Sequence, residues 1–349
     1  MFTRRTLSKL LAATTLAPAT ALSQGRPPLS RIAFGSCAKQ TLPQPIWEPI
    51  LAYRPDLFIF AGDNVYGDFN SPDAADLQRA YDEARHIAGY VRLRETVPHL
   101  AVWDDHDYGV NDGGEEFAHK ALAKDLFLDF WGAAATDTRR TRGGIYDSRV
   151  IGPPGMRVQV ILLDVRWFRS PLKPTDKRGA PGKQRYLPDP DPGKTMLGAD
   201  QWAWLAHELH TPAELRLIVS STQVLAEGHG WERWGNLPLE KQRLIDTIRA
   251  SGAKGVVLLS GDRHVGALYR ESPADLYPLY EATSSGLNMV YWAAKEPGPN
   301  RLGALYAAAN FGVVDIDWWE RRLVLALRDD GGNTRRSVDI AFDALGIAT

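Results

Sequence analysis

Cysteine is almost missing from this chain of 349 residues: Cys37 stands alone, so no disulfide can close within it. A solitary thiol is then either a small buried apolar group or a ligand. No basic block stands out, and the formal net charge is -1. That leaves no electrostatic grip on nucleic acid or on an acidic membrane surface, and points to a small substrate. The alanine-rich stretch from Leu10 to Leu22 is too short to span a bilayer well. Gly-x-Ser-x-Gly is absent, so nothing marks a serine nucleophile. No internal repeat is evident. What remains is an ordinary globular composition, 44% hydrophobic and 24% charged, which excludes disorder.

The first residues read as an address label. Thr3-Arg4-Arg5-Thr6-Leu7-Ser8-Lys9 carries a twin arginine, Leu10 to Leu22 is the apolar region, and Ala19-Thr20-Ala21 fits a small-residue cleavage site. We expect residues 1–21 to be a signal peptide for the twin-arginine export machinery, with the folded protein delivered to the periplasm or secreted. A protein that folds before crossing can take up metal in the cytoplasm. Residues 30–349 are expected to form a single domain without a membrane span.

Within that domain, apolar runs alternate with amphipathic ones. Strands are expected at Arg31 to Phe34, Leu57 to Ala61, His99 to Trp103, Arg157 to Leu163, Leu215 to Ser220, Val256 to Ser260, Tyr280 to Thr283, Gly312 to Asp317 and Leu323 to Leu327. Helices are expected at Pro43 to Ala52, Ser71 to His86, Tyr90 to Val97, Glu115 to Phe130, Asp200 to Leu209 and Leu239 to Ala250. Pro171 to Pro192 is rich in proline and glycine and reads as a long surface loop, a rim over a site. The order suggests an α/β fold of two packed sheets flanked by helices, with donor residues at the C-terminal ends of strands.

Those strand ends carry the chemistry. Asp104-Asp105-His106-Asp107 places four ionisable groups in succession after an apolar strand. They would repel one another unless a cation sat among them. Two other segments repeat the grammar of strand, glycine turn and donors: Gly62-Asp63-Asn64-Val65-Tyr66-Gly67-Asp68 and Gly261-Asp262-Arg263-His264. Phosphate ester hydrolysis suits such a set, because bridging a water between two metals lowers its pKa from about 16 towards 7. Two cations about 3.5 to 4 Å apart also hold attacking and leaving oxygens in line, and an imidazole beside them can protonate the leaving group.

Gly35-Ser36-Cys37, Gly62-Asp63-Asn64-x-Tyr66, Trp103-Asp104-Asp105-His106-Asp107 and Gly261-Asp262-Arg263-His264, in that order, resemble the PhoD-type alkaline phosphatases, a branch of the calcineurin-like metallophosphoesterases. The resemblance implies an α/β/β/α sandwich of two mixed sheets flanked by helices. It implies Fe3+ with Ca2+ beside it, other divalent metals being possible. Cys37, Tyr66 and Asp63 would bind, with Asp63 bridging, and Asp105, Asp262 and His264 would complete the set. His106 falls at the proton donor. The implied activity is hydrolysis of phosphate monoesters by direct attack of a metal-bound hydroxide. Diester hydrolysis, phospholipase D-like, is the rival reaction, and an exported metal-binding protein without turnover is the rival class. Gln223 stands where many relatives carry a ligating histidine.

Several residues keep two readings. Arg166 is either a phosphate clamp or the partner of Asp164. His229 is either a support for the ligands or a substrate contact, and Asp68 and Asp107 are turn or capping acids. His207 and His210 share a helix and are expected to face solvent. The eleven tryptophans are expected to pack.

Overall fold

The computed structural model describes residues 27–348, so the expected signal peptide lies outside the described residues. In chain order the elements are β1 (Arg31–Gly35), α1 (Trp47–Tyr53), β2 (Leu57–Ala61), α2 (Ala75–Ala84), α3 (Ala88–Thr96), β3 (His99–Val102), α4 (Asp105–Tyr108), α5 (Lys120–Phe130), β4 (Asp147–Ile151) and β5 (Val158–Leu162). They continue as α6 (Gly198–Glu208), β6 (Leu215–Ser220), α7 (Pro238–Ser251), β7 (Val256–Ser260), β8 (Gly266–Glu271), β9 (Leu279–Ser284), β10 (Asn310–Asp317), β11 (Arg322–Asp329) and β12 (Thr334–Ala341).

Two six-stranded mixed sheets result, in the orders β12-β11-β10-β1-β2-β3 and β4-β5-β6-β7-β9-β8. In the first, β1, β2 and β3 run parallel and the rest antiparallel. In the second, β5, β6, β7 and β9 run parallel, with β4 and β8 antiparallel at the edges. Side-chain alternation along the second sheet explains the layering. Val158, Val160, Leu217, Val219, Val257 and Leu259 join the core shared with the first sheet, whereas Ile161, Ile218, Val256 and Leu258 join a second core under α6 and α7. Strands buried on both faces read as continuous apolar runs, which is why β2, β6 and β7 were expected within their observed limits.

The expected order of elements holds, with differences at the ends. The helix expected from Pro43 begins only at Trp47, and the one expected from Glu115 begins at Lys120, after a turn in which the Glu115 amide donates to Arg169 O. Strands β4, β8 and β12 were not expected. All three are sheet edges, and β4 and β12 carry mostly polar or half-exposed residues. The segment from Pro171 to Pro192 has neither helix nor regular strand. It is docked through Arg185 N and Tyr186 N onto Gly230 O at 2.9 and 2.8 Å.

Candidate metal centre

Parallel strands β1, β2, β3 and β7 all deliver their C-terminal ends to one place. Gly62, at the end of β2, has φ +103, and a Cβ there would lie 2.6 Å from Asp104 Cβ and 2.9 Å from Ser221 Cβ. Only a residue without a side chain lets the loops after β2, β3 and β6 meet so closely. Hydrogen bonds stitch the loops together: Cys37 N and Ala38 N donate to Gly62 O and Asp63 O, and Gly261 N donates to Ser221 O at 2.9 Å.

The backbone is bent to aim the donors inward. Nine non-glycine residues among those described have a left-handed backbone, and five of them are Cys37, Asp63, Asp112, Asp262 and His264. All five belong to groups whose candidate ligand atoms lie within 4.8 Å of one another. Each such conformation costs roughly 1 kcal/mol or more, so its concentration here marks a site held against local preference.

One end of the site combines sulfur, phenol and imidazole. Cys37 Sγ lies 3.4 Å from Asp63 Oδ2 and 3.1 Å from Ser285 Oγ. Tyr66 OH donates to Asp63 Oδ2 at 3.2 Å and sits 3.1 Å from His264 Nε2. Cys37, Asp63 and His264 form one three-donor group. Burial pushes the Cys37 thiol up to about 12. It pushes Tyr66 well above its ordinary value, with the Asp63 charge adding to it. His264 is brought down to about 4 by burial and by Arg263, which leaves a neutral imidazole free to ligate.

The other end is acidic. Asp63, Asp105 and His106 form a second group, Asp104, Asp105 and Asp262 a third, and Asp105, Asp112 and Glu232 a fourth. Asp63 links the first two and Asp105 the last three. Burial, then neighbouring charges, raise Asp63 and Asp262 well above the usual carboxylate range. Burial works on Asp105 in the same direction, but His106, Arg166 and the Asp112 amide outweigh it and hold Asp105 low. Asp105 Oδ1 and Asp104 Oδ2 are buried without a hydrogen-bond partner among the described residues. Buried, unpartnered carboxylate oxygens beside a thiol, a phenol and two imidazoles are what a metal centre requires, and the donors fit one.

His106 stands over the junction. Its amide donates to Asp63 Oδ1 at 3.2 Å, its Nδ1 is 2.8 Å from Asp68 Oδ2, and its ring lies 4.2 Å from the ring of Tyr66. Burial alone would depress the imidazole, yet the carboxylates of Asp105, Asp63 and Asp68 raise it to about 10. Asp68 is thus a partner of His106. Asp107 is a cap: its carboxylate accepts from Asp104 N and from both Asn64 nitrogens, and so fixes α4 against the loop after β2.

The Arg166 readings need correction. Arg166 is wholly buried, its side chain bonded to Asp104 Oδ1 at 2.6 Å through Nε and to Glu232 Oε1 at 2.8 Å through Nη1. Its guanidinium therefore has no surface for a phosphate, and Asp164 meets only its backbone amide, at 2.9 Å. Gln223 is also committed elsewhere, donating to Tyr269 OH and Thr283 Oγ1. His229 is buried with Nε2 3.1 Å from Gln223 Oε1, and it belongs to none of the four donor groups. Asp112 and Glu232 were missed. Asn111-Asp112-Gly113-Gly114 reads as a bare turn, and Glu232 sits in a loop with no local signature, so only the tertiary fold brings them to Asp105.

Two mixed sheets flanked by helices, with metal-type donors on the loops between them, define the calcineurin-like metallophosphoesterase fold. The family model described as PhoD-like phosphatase matches residues 32–292, and the chain belongs to that family. It is 22% identical over 258 residues to alkaline phosphatase D of Bacillus subtilis (strain 168), a match that covers 68% of this chain and 42% of that relative's length. The structure described as that of PhoD superposes with a TM-score of 0.72 at 16% identity, over 92% of this chain and 71% of the other. The purple acid phosphatase PPD1 from yellow lupin (Lupinus luteus) seeds gives 0.59 at 10% identity, over 93% of this chain and 56% of its own. These structural likenesses concern the fold.

Proposed function

We propose that this protein is an exported, metal-dependent phosphatase that hydrolyses phosphate monoesters, with residues 30–349 acting as one unit. The observation that carries the reading is the pair of donor groups sharing Asp63, with His106 in the second of them and its amide bonded to Asp63. Cys37, Tyr66, Asp63 and His264 would hold a ferric ion, since thiolate and phenolate favour a trivalent metal. Asp63, Asp105 and Asp262, with Asp104 nearby, offer the oxygen-rich surroundings that suit calcium. Metals held there would supply Lewis acidity and a more acidic attacking water.

The chain's own groups do the rest. His106 donates a proton to the leaving oxygen, and its bond to Asp68 at Nδ1 leaves Nε2 for that proton. Tyr66 packs against the ring and limits its tilt. Asp107 keeps α4 in register with the loop bearing Asp63. With no serine motif, attack on phosphorus is direct.

The test is hydrolysis of a chromogenic phosphate monoester and its diester at alkaline pH, before and after calcium chelation and calcium return. Monoester turnover that disappears with chelation and returns with calcium supports the reading. Turnover of the diester alone moves the assignment to diester hydrolysis. Turnover of neither by metal-replete protein sinks the phosphatase reading in favour of metal binding.

A further inference from the structure

Beside the metal centre lies a pocket of about 450 Å³, large enough for a small organic molecule, and the site chemistry described above does not use it. Its wall is continuous with the centre. Tyr291 N donates to His264 O at 2.8 Å, and Arg185 Nη1 pairs with Asp112 at 2.5 Å. Trp231 carries the Arg263 guanidinium at 4.9 Å and that of Arg185 at 5.3 Å.

The charge of this wall is one-sided in a chain whose formal net charge is only -1. Among the described residues its cations are Arg178, Arg185 and Lys295, and its one acid, Glu296, is already paired with Arg263. Arg185 is engaged by Asp112, whereas Arg178 and Lys295 are exposed and in no ion pair among the described residues. Tyr291, 38% exposed and edge-on to Trp231 at 6.2 Å, adds an open aromatic face. Two free cations beside an exposed ring form a receptor for a group that is both planar and anionic.

We propose that this pocket receives the leaving group of the substrate and selects phosphate esters whose leaving group bears an aromatic ring and a second negative charge, as in a nucleoside bearing a further phosphate. The proposal rests on the phosphatase reading and names its substrate class. The aromatic part would lie on Tyr291, and the second charge would meet Arg178 and Lys295 while the ester phosphorus faces the metal centre.

Two small probes isolate the effect: phenyl phosphate and 4-carboxyphenyl phosphate, assayed with the metal-loaded full chain. Their intrinsic reactivities differ, but that difference is the same for every variant, so it cancels when the ratio of their kcat/KM values is compared. Arg178→Ala with Lys295→Ala should lower the ratio for the carboxylated ester roughly fivefold, the yield of two exposed charge contacts. Arg178→Lys with Lys295→Arg should restore it, and added salt should shrink the wild-type preference. Both exposed positions permit a folded variant, which its melting temperature checks. Hydrolysis of both esters with an unchanged ratio overturns the pocket assignment alone. Hydrolysis of neither removes the phosphatase reading and the pocket assignment with it.

Discussion

His106 is where binding and catalysis can be separated. A protein that only holds metal has no use for a proton donor beside it, whereas a phosphatase needs one for an alkoxide leaving group. His106→Ala should therefore keep its metal content, measured by elemental analysis, and lose about 100-fold or more in kcat/KM for alkyl phosphates. A loss of metal in step with activity would make His106 a ligand instead. His229 tests burial by a different route. Its Nδ1 accepts from the Trp231 amide at 3.2 Å and its Nε2 proton goes to Gln223 Oε1, so the folded ring has no place for a second proton. Burial, with Arg263 and Arg233 nearby, drives its pKa well below the ordinary value. The unfolded chain takes that proton below about 6.5, so the stability contributed by neutral His229 is complete above that pH and is lost as pH falls. From pH 7 to 5 the melting temperature of the wild type should fall relative to that of His229→Gln. Parallel curves would show that the buried ring carries no such linkage.

The elements that matter for the centre are short turns, and glycine sets their spacing. Gly62→Ala places a methyl against Asp104 and Ser221 and adds a backbone conformation that alanine resists. Those loops cannot part freely, because Ser221 Oγ also donates to Asp104 Oδ1 at 2.6 Å and Arg166 ties Asp104 to Glu232. A loss of about 3 kcal/mol follows from overpacking plus strain, read as a lower urea midpoint at unchanged slope. Full stability in Gly62→Ala would mean that the turn relaxes and that its close approach is incidental. The same turns show what is legible in a sequence. Cys37, Asp63, Tyr66, Asp105, Asp262 and His264 each follow a buried strand, where an apolar run stops abruptly at donors, and the eye finds that edge. Asp112, Glu232 and the true partners of Arg166 have no such edge. Their meeting depends on how β3, β5 and the loop before α7 pack, which no local pattern records. Strands β4, β8 and β12 escape for a related reason, since a sheet edge needs no continuous apolar run.

Taken together, the protein encloses more negative charge than its folded interior can hold without cations, and this gives the metal-free form a distinct pH response. Burial raises Asp104 to about 6, Glu232 to about 7 and Asp107 to about 8. Asp63 and Asp262 are raised as well. A carboxyl whose folded pKa exceeds its unfolded value near 4 keeps its proton longer in the native state. Its contribution is therefore present below about pH 4 and is lost as pH rises through the folded values. The carboxyls so raised outnumber His99, His229 and His264, whose lowered values slope the other way, so the chelated protein should lose melting temperature steadily from pH 5 to 8. Bound cations supply the missing charge, so the loaded protein should hold its melting temperature over the same range, and the gap between the two forms should widen with pH. Differential scanning calorimetry of both forms at three pH values measures that gap. A constant gap would mean that metal binding is not what offsets the buried carboxylates, and that Arg166, Arg169 and Arg185 suffice to neutralise them.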